Sequence, residues 1–327
     1  MKQNIVVFLF IISILFGTSY QQFRHFDITD PRGMNDSVSY IKMSQGNYSV
    51  NPVHKYRFIV PYLAGKLNNY VSKYIFEKNI SIILSFYIIN FIIISFSAYF
   101  LYLIFEFYNF KPLLNLVGLS IFLSSRVIVY TTATPLVDSL YIFAIVVIVY
   151  FMIKKDLLKL SLFAPFLLLT KETVLLFLFL PFFYSNTFRN TKYIISIIVS
   201  ILFFIISRKY IDFISIISTS EYKNFLDVII IHIHFMKNNI ISLFSFRGIF
   251  NFIHGFSFFL LFAVYGAYLN YKYNFYKLPD LIFLFIFLIS FGFALLSGNL
   301  GRMIFSAYIP IIIYSLIAFE YIMKEKS

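Results

Sequence analysis

From Ile80 to Phe105 the chain runs for 26 residues without a charged side chain, and seven more apolar stretches lie around it. These are Asn4–Tyr20, Pro112–Tyr130, Leu136–Ile153, Tyr193–Ser207, His254–Leu269, Leu281–Leu296 and Met303–Ile322. Roughly 20 apolar residues in a helix cross the hydrocarbon core of a bilayer, so eight stretches of this kind predict a polytopic membrane protein. Composition agrees. Over 327 residues the chain is 60% hydrophobic and 13% charged, far more apolar and less charged than a soluble domain.

One stretch resists this simple division. Residues 156–184, DLLKLSLFAPFLLLTKETVLLFLFLPFFY, hold Lys171 and Glu172 near their middle. As a single span they would leave two charges near the bilayer centre, each costing about 2.5–3.5 kcal/mol. Two short helices turning at Thr170-Lys171-Glu172 avoid that cost, although each half, about 20 Å long, is shorter than the hydrocarbon core. Loop charge favours the hairpin. It puts Lys111, the Lys154-Lys155-Lys159 group, Arg189 with Lys192, Lys272 with Lys277, and Lys324 with Lys326 all on the cytoplasmic side, as the positive-inside rule requires.

The expected architecture is therefore an all-α transmembrane bundle of about ten helices, one membrane domain over 1–327. Residues 1–20 form the first transmembrane helix, 21–79 a long extracytoplasmic loop containing interfacial helices, and 80–327 the remaining helices. Both termini are cytoplasmic, and a bacterial plasma membrane is the expected site. The first helix reads as retained, because FGTSYQQ offers no small-x-small cleavage site after it.

Cys 0 excludes disulfides and thiol chemistry. The net charge of +13 asks for an anionic partner, which lipid phosphates supply; no compact basic run or soluble domain points to nucleic acid. GxSxG, P-loop, HExxH and dinucleotide glycine patterns are all missing, which removes the corresponding hydrolase, nucleotide-driven and zinc-protease readings. His232 and His234, spaced i, i+2 without a third ligand nearby, read as interfacial rather than zinc-binding, and His254 as a helix-end residue.

The polar residues concentrate on the expected outer face. Asp27, Asp30 and Asp36 fall within ten residues of each other, and the next acid is Glu77. A carboxylate there can deprotonate a hydroxyl or bind a divalent cation, for which Asp27 and Asp30 would be the ligands. The same acids also suit turns and helix caps in DITDPRG and NDS.

The order Asp36, Tyr40, Gly46, Tyr48, Arg57, Pro61 resembles the first extracytoplasmic loop of GT-C-type membrane glycosyltransferases, in which an Asp opens a D-x-x-x-Y helix and a Y-R-x-x-x-P segment follows. Here those pieces read DSVSY and YRFIVP, and TPLVDSLYIFAIVVIVY, LLLTKETVLLFLFLP and GRMIFSAYIP resemble downstream helices of that superfamily. The resemblance implies a polyprenyl-phosphate-linked sugar donor and a glycan, lipid or protein acceptor, with a first-loop Asp acting on the acceptor hydroxyl. That role maps to Asp36, with Asp30 as second choice.

Such a reaction gathers negative charge on a lipid phosphate, and Arg57, Lys171 and Arg302 are the expected cations. Tyr40 and His54 are expected beside the substrate or its phosphate. Glu172 either orients Lys171 or caps the returning helix. Asp138, an intramembrane acid by position, also suits an ordinary helix start after Pro135; Arg57 and Arg302 also suit snorkelling to the interface. A polysaccharide polymerase, a lipid-linked-sugar flippase or transporter, and an inactive scaffold are the competing functions.

Overall fold

The structure, a computed structural model, describes residues 2–27, 36–75, 78–184, 190–215, 225–246, 249–250, 256, 258–297 and 300–325. Among these residues all regular structure is helical: α1 (Lys2–Arg24), α2 (Asp36–Ser44), α3 (Pro52–Lys55), α4 (Ile59–Val71), α5 (Lys78–Phe107), α6 (Pro112–Ser124), α7 (Arg126–Ala133), α8 (Asp138–Ile153), α9 (Leu157–Leu168), α10 (Val174–Leu178), α11 (Leu180–Tyr184), α12 (Thr191–Ile214), α13 (Phe225–Leu243), α14 (Phe259–Tyr273), α15 (Asp280–Leu295), α16 (Leu300–Ile304) and, after a 3₁₀ turn, α17 (Tyr308–Glu325).

Four helical segments are long and apolar enough to cross a membrane: Asn4–Arg24, Asn79–Phe107, Thr191–Ile214 and Gly301–Lys324. The pair α6 and α7, bent by 58° at Ser125, makes a fifth if counted as one broken span. Several expected spans are shorter than a bilayer is thick. The 16 residues of α8 rise about 24 Å, because the chain before them is bent at Thr134–Leu136 and Lys155 closes their far end in the left-handed region, φ 56°. The helix that includes Tyr193–Ser207 instead runs on to Ile214. No Pro or Gly interrupts Arg208–Ile214, so nothing in the backbone stops the helix where its side chains turn polar.

Residues 156–184 are broken, not continuous. Helix α9 ends at Leu168, Thr170 Oγ1 donates to the Leu167 carbonyl oxygen at 2.8 Å, and tight i to i+3 bonds onto the carbonyls of Lys171, Glu172 and Thr173 start α10.

The chain forms two compact units, 1–100 with 128–219 and 101–127 with 220–327. In the first, the segment 36–71 is a small helical platform. Helix α2 begins with Asp36 in its first turn, favourable to the helix dipole. It ends where Gly46 takes φ +84° and the Asn47 N–H reaches back to the Lys42 carbonyl at 3.0 Å, a glycine-terminated cap. Its apolar side, Tyr40, Ile41 and Met43, packs with Val60 and Ala64 of α4, Ile82, Ile83 and Phe86 of α5, and Leu136 and Val137. Burying these side chains is what draws a polar loop onto the ends of apolar helices.

Gly65 fixes how closely α4 approaches α2. A Cβ there would lie 2.1 Å from the Ser44 carbonyl oxygen, and a backbone atom cannot step aside as a side chain can. Gly65→Ala is expected to cost about 1–3 kcal/mol, read as a lower melting midpoint in detergent. Gly17→Ala, where a Cβ meets nothing within 4 Å, should leave the midpoint unchanged or raise it.

In the second unit, α14 and α17 pack through Gly266, where a Cβ would fall 1.8 Å from the Tyr314 carbonyl oxygen; small residues allow such close helix crossings in membranes. Asn239 of α13 donates to the carbonyls of Ala294 (3.2 Å), Leu295 (2.9 Å) and Ser297 (2.7 Å) at the end of α15, satisfying acceptors that a helix C-terminus leaves open.

Candidate functional site

The polar residues of the first unit gather around Arg57, at the end of the short turn after α3. Its guanidinium is only 9% exposed, and burial without partners would be costly for a charge. Partners are present. Arg57 donates to the Tyr40 hydroxyl and, from Nη2, to Glu172 Oε1 at 3.4 Å. Burial acts to lower its pKa, but the Tyr40 oxygen and the Glu172 and Asp138 carboxylates outweigh it, so the pKa stands above its ordinary value and the group stays cationic.

Tyr40 is fully buried in the platform core. Burial, with smaller contributions from Asp138 and Asp36, pushes its phenol up to about 12 against the opposing pull of Arg57; it remains a neutral hydroxyl at physiological pH. Its ring lies 5.3 Å from that of His54, whose Nε2 is 3.5 Å from Asp36 Oδ1. Asp36, with 28% of its side chain exposed, is the carboxylate of this group on α2, one turn before Tyr40.

The turn between α9 and α10 supplies the opposite wall. Lys171 is buried, its Nζ 3.8 Å from Asp138 Oδ1 and 4.7 Å from the centre of the Tyr141 ring. The Asp138 carboxylate and the ring's π-face offset the ammonium's desolvation. The chain on either side of Asp138 is held by Asn90, a fully buried residue of α5. Asn90 Nδ2 donates to the carbonyls of Thr134 and Leu136, both at 3.1 Å, and its Oδ1 accepts from Ser139 Oγ at 2.6 Å. One amide thereby shapes the bend that starts α8 and aims Asp138.

Glu172, 44% exposed, meets two guanidiniums: Arg57 at Oε1 and Arg208 Nη2 at Oε2, each at 3.4 Å. Burial would raise its pKa, but Arg57, Lys171 and Arg208 hold its carboxyl below the usual carboxylate range. Arg208, on the last turns of α12, is itself sandwiched by the rings of Tyr56 (4.3 Å) and Phe204 (4.4 Å). One helical turn later Asp212 pairs with Lys55 and accepts from the Tyr56 hydroxyl at 3.0 Å.

Asp36, Tyr40, His54, Arg57, Asp138, Lys171 and Glu172, expected from four separated stretches of sequence, thus share one connected cluster. Lys55, Tyr56, Asn90, Arg208 and Asp212 join it without having been expected. The signal for three of them was present: Arg208 and Asp212 lie i, i+4 at the end of an otherwise apolar helix. Asn90 is a lone amide within the uncharged run 80–105, a position where polar side chains are rare for energetic reasons.

Other expected residues lie elsewhere. Asp30 and His254 lie outside the described residues. Asp27 is exposed just beyond α1, and among the described residues no group of three or more His, Asp or Glu could hold a metal ion. Arg302 is a partly buried residue of α16 in the second unit. There too, His232 Nδ1 lies 2.8 Å from the Leu296 carbonyl oxygen, joining α13 to the end of α15, and His234 Nε2 lies 2.9 Å from Asn238 Nδ2 within α13.

Comparison of the chain with family models, with curated proteins and with solved structures finds no match. The chemistry must therefore be argued from the cluster itself. It contains a partly exposed carboxylate–imidazole pair next to a buried arginine, a buried ammonium and a second arginine, all in a chain with membrane-length apolar helices. Such a set can take a proton from a hydroxyl on one side and stabilise an anion on the other.

Proposed function

We propose that the protein is an integral-membrane glycosyltransferase that moves a sugar from a polyprenyl-phosphate donor to a glycan, lipid or protein acceptor at the outer membrane face. In this reading the α9–α10 turn faces outward, about ten helices lie in or across the bilayer with both termini cytoplasmic, and the membrane is a bacterial plasma membrane. Asp36, oriented by His54, accepts the proton of the acceptor hydroxyl. The freed oxygen bonds to the anomeric carbon as the bond from that carbon to the phosphate oxygen breaks, and the departing polyprenyl phosphate carries the electron pair away. Arg57 and Lys171 stabilise the charge that grows on it, while Tyr40 holds Arg57 and Asp138 holds Lys171.

The observation that supports this most is Arg57: a guanidinium buried next to the Asp36–His54 pair, whose Nε finds no acceptor among the described residues. Buried donors of this strength are rarely left unmatched, and a phosphate oxygen would match it.

The test is direct transfer by the reconstituted protein. Incubated with radiolabelled polyprenyl-phosphate hexose or pentose and a cell-envelope extract, it should move label into a larger product and release polyprenyl phosphate in equal amount. Label that stays on the donor for every sugar offered, with protein that is folded by its melting profile, would reject the proposal.

A further inference from the structure

The two guanidiniums around Glu172 raise a question that the reaction scheme leaves open. Each oxygen of the carboxylate serves a different arginine, and each contact is 3.4 Å, long for a charge-assisted hydrogen bond, which is ordinarily about 2.7–2.9 Å. A planar carboxylate with two oxygens therefore spans the gap poorly. Donors remain unused around it. Arg57 Nε and Arg208 Nε are buried and make no hydrogen bond among the described residues, and the same is true of the Thr173 hydroxyl, next to Glu172 in sequence. Formally, two guanidiniums against one carboxylate leave a local excess of one positive charge.

Beside Arg208 an apolar slot runs between Tyr56, Phe58, Leu169, Phe204 and Ile211, too tight to admit a water molecule. Anion seat and apolar slot adjoin through Arg208, which borders both. The polyprenyl phosphate released in the proposed transfer is a phosphate monoester, which brings three acceptor oxygens and more charge than a carboxylate, with its alkyl chain bound directly to that headgroup.

We infer that Glu172 is an internal stand-in occupying the seat of a lipid phosphate, that Arg208 is the second cationic wall of that seat, and that the ligand's first alkyl segment opens the slot beside it. This rests on the proposed use of a polyprenyl-phosphate donor and adds to it. Glu172 becomes a competitor that must swing aside on loading, and Arg208 a phosphate-binding residue. In the resting protein the carboxylate keeps Arg57 and Arg208 apart from each other's repulsion and closes the seat to adventitious anions.

The experiment measures binding rather than turnover, with farnesyl phosphate as probe and inorganic phosphate and farnesol as controls, on the full chain in detergent or nanodiscs. Freeing two partly exposed ion pairs, each weak, predicts that Glu172→Gln binds farnesyl phosphate about three- to thirtyfold more tightly than wild type. The gain should shrink when Glu172→Gln is made in an Arg208→Ala background, leaving only what freeing Arg57 contributes, because the double-mutant cycle isolates the Glu172–Arg208 pair. Unchanged or weaker binding by Glu172→Gln, a gain undiminished without Arg208, or a Glu172→Gln protein that no longer folds would each overturn the inference. An equal gain for inorganic phosphate or for farnesol would overturn the lipid-phosphate assignment. The two proposals fail separately. Glu172-dependent phosphate binding in a protein that transfers no sugar rejects the transferase alone, whereas transfer with affinity indifferent to Glu172 rejects the stand-in alone.

Discussion

Asp36→Asn is expected to slow the proposed sugar transfer by about 10²–10⁴-fold, the range a positioned general base supplies, while donor binding stays within a fewfold of wild type. The amide has the carboxylate's shape, so the first turn of α2 and the packing of Tyr40 behind it should persist and the melting midpoint should move little. What is lost is the ability to take a proton: His54 Nε2, 3.5 Å away, can orient a carboxylate but cannot make an amide basic. Product formation measured alongside donor affinity separates the two effects. Asp30 is the other acid of that loop with a claim on the role, so the decisive comparison includes Asp30→Asn. Undiminished transfer by both variants would remove the first-loop base from the mechanism.

Arg57→Ala should be the most damaging single change to the site, because it acts on stability and on chemistry together. Truncation leaves the Tyr40 hydroxyl buried without this donor, a loss of about 1–3 kcal/mol. The ion pair with Glu172 adds little, since that carboxylate is 44% exposed and solvent screens it. In rate, removal of the cation proposed to face the departing phosphate should cost about 10²–10³-fold. Arg57→Lys distinguishes the two. An ammonium restores charge but not the planar fork that bonds two groups at once, so most of the stability should return and only part of the rate. An Arg57→Ala protein that turns over at near wild-type speed well below its melting midpoint would show that the guanidinium is only a support for the platform.

That the chain carries membrane-length apolar helices is plain from the sequence, because it depends on summed transfer free energy along the chain: the run 80–105 contains no charge wherever its neighbours lie. The break at residues 169–173 was legible for the same reason, since Lys171 and Glu172 in one apolar run are too costly to leave mid-span. Harder to read was where helices stop. Helix α12 continues to Ile214 although its apolar character fades after Ser207, because helix propensity, not hydropathy, decides termination there. Helix α6 breaks at Ser125 with a 58° bend that no Pro or Gly announces in the sequence.

The kinds of residue in the site follow from the sequence alone: an acid, a tyrosine and an arginine at set spacings in the first loop, a lysine–glutamate pair in an apolar hairpin, an aspartate after a proline. These are local facts, since a charge stranded in apolar surroundings demands a purpose or a partner whatever the fold. Which charge answers which is a different matter. That Glu172 is shared between Arg57 and Arg208, 115 and 36 residues away, and that Asn90 holds the bend that aims Asp138, came only from the tertiary structure. Such pairings depend on the packing of Tyr40, Ile41, Val60 and Phe86 into one core, and distances of a few ångströms between remote segments are not encoded in the hydropathy or spacing of any one of them.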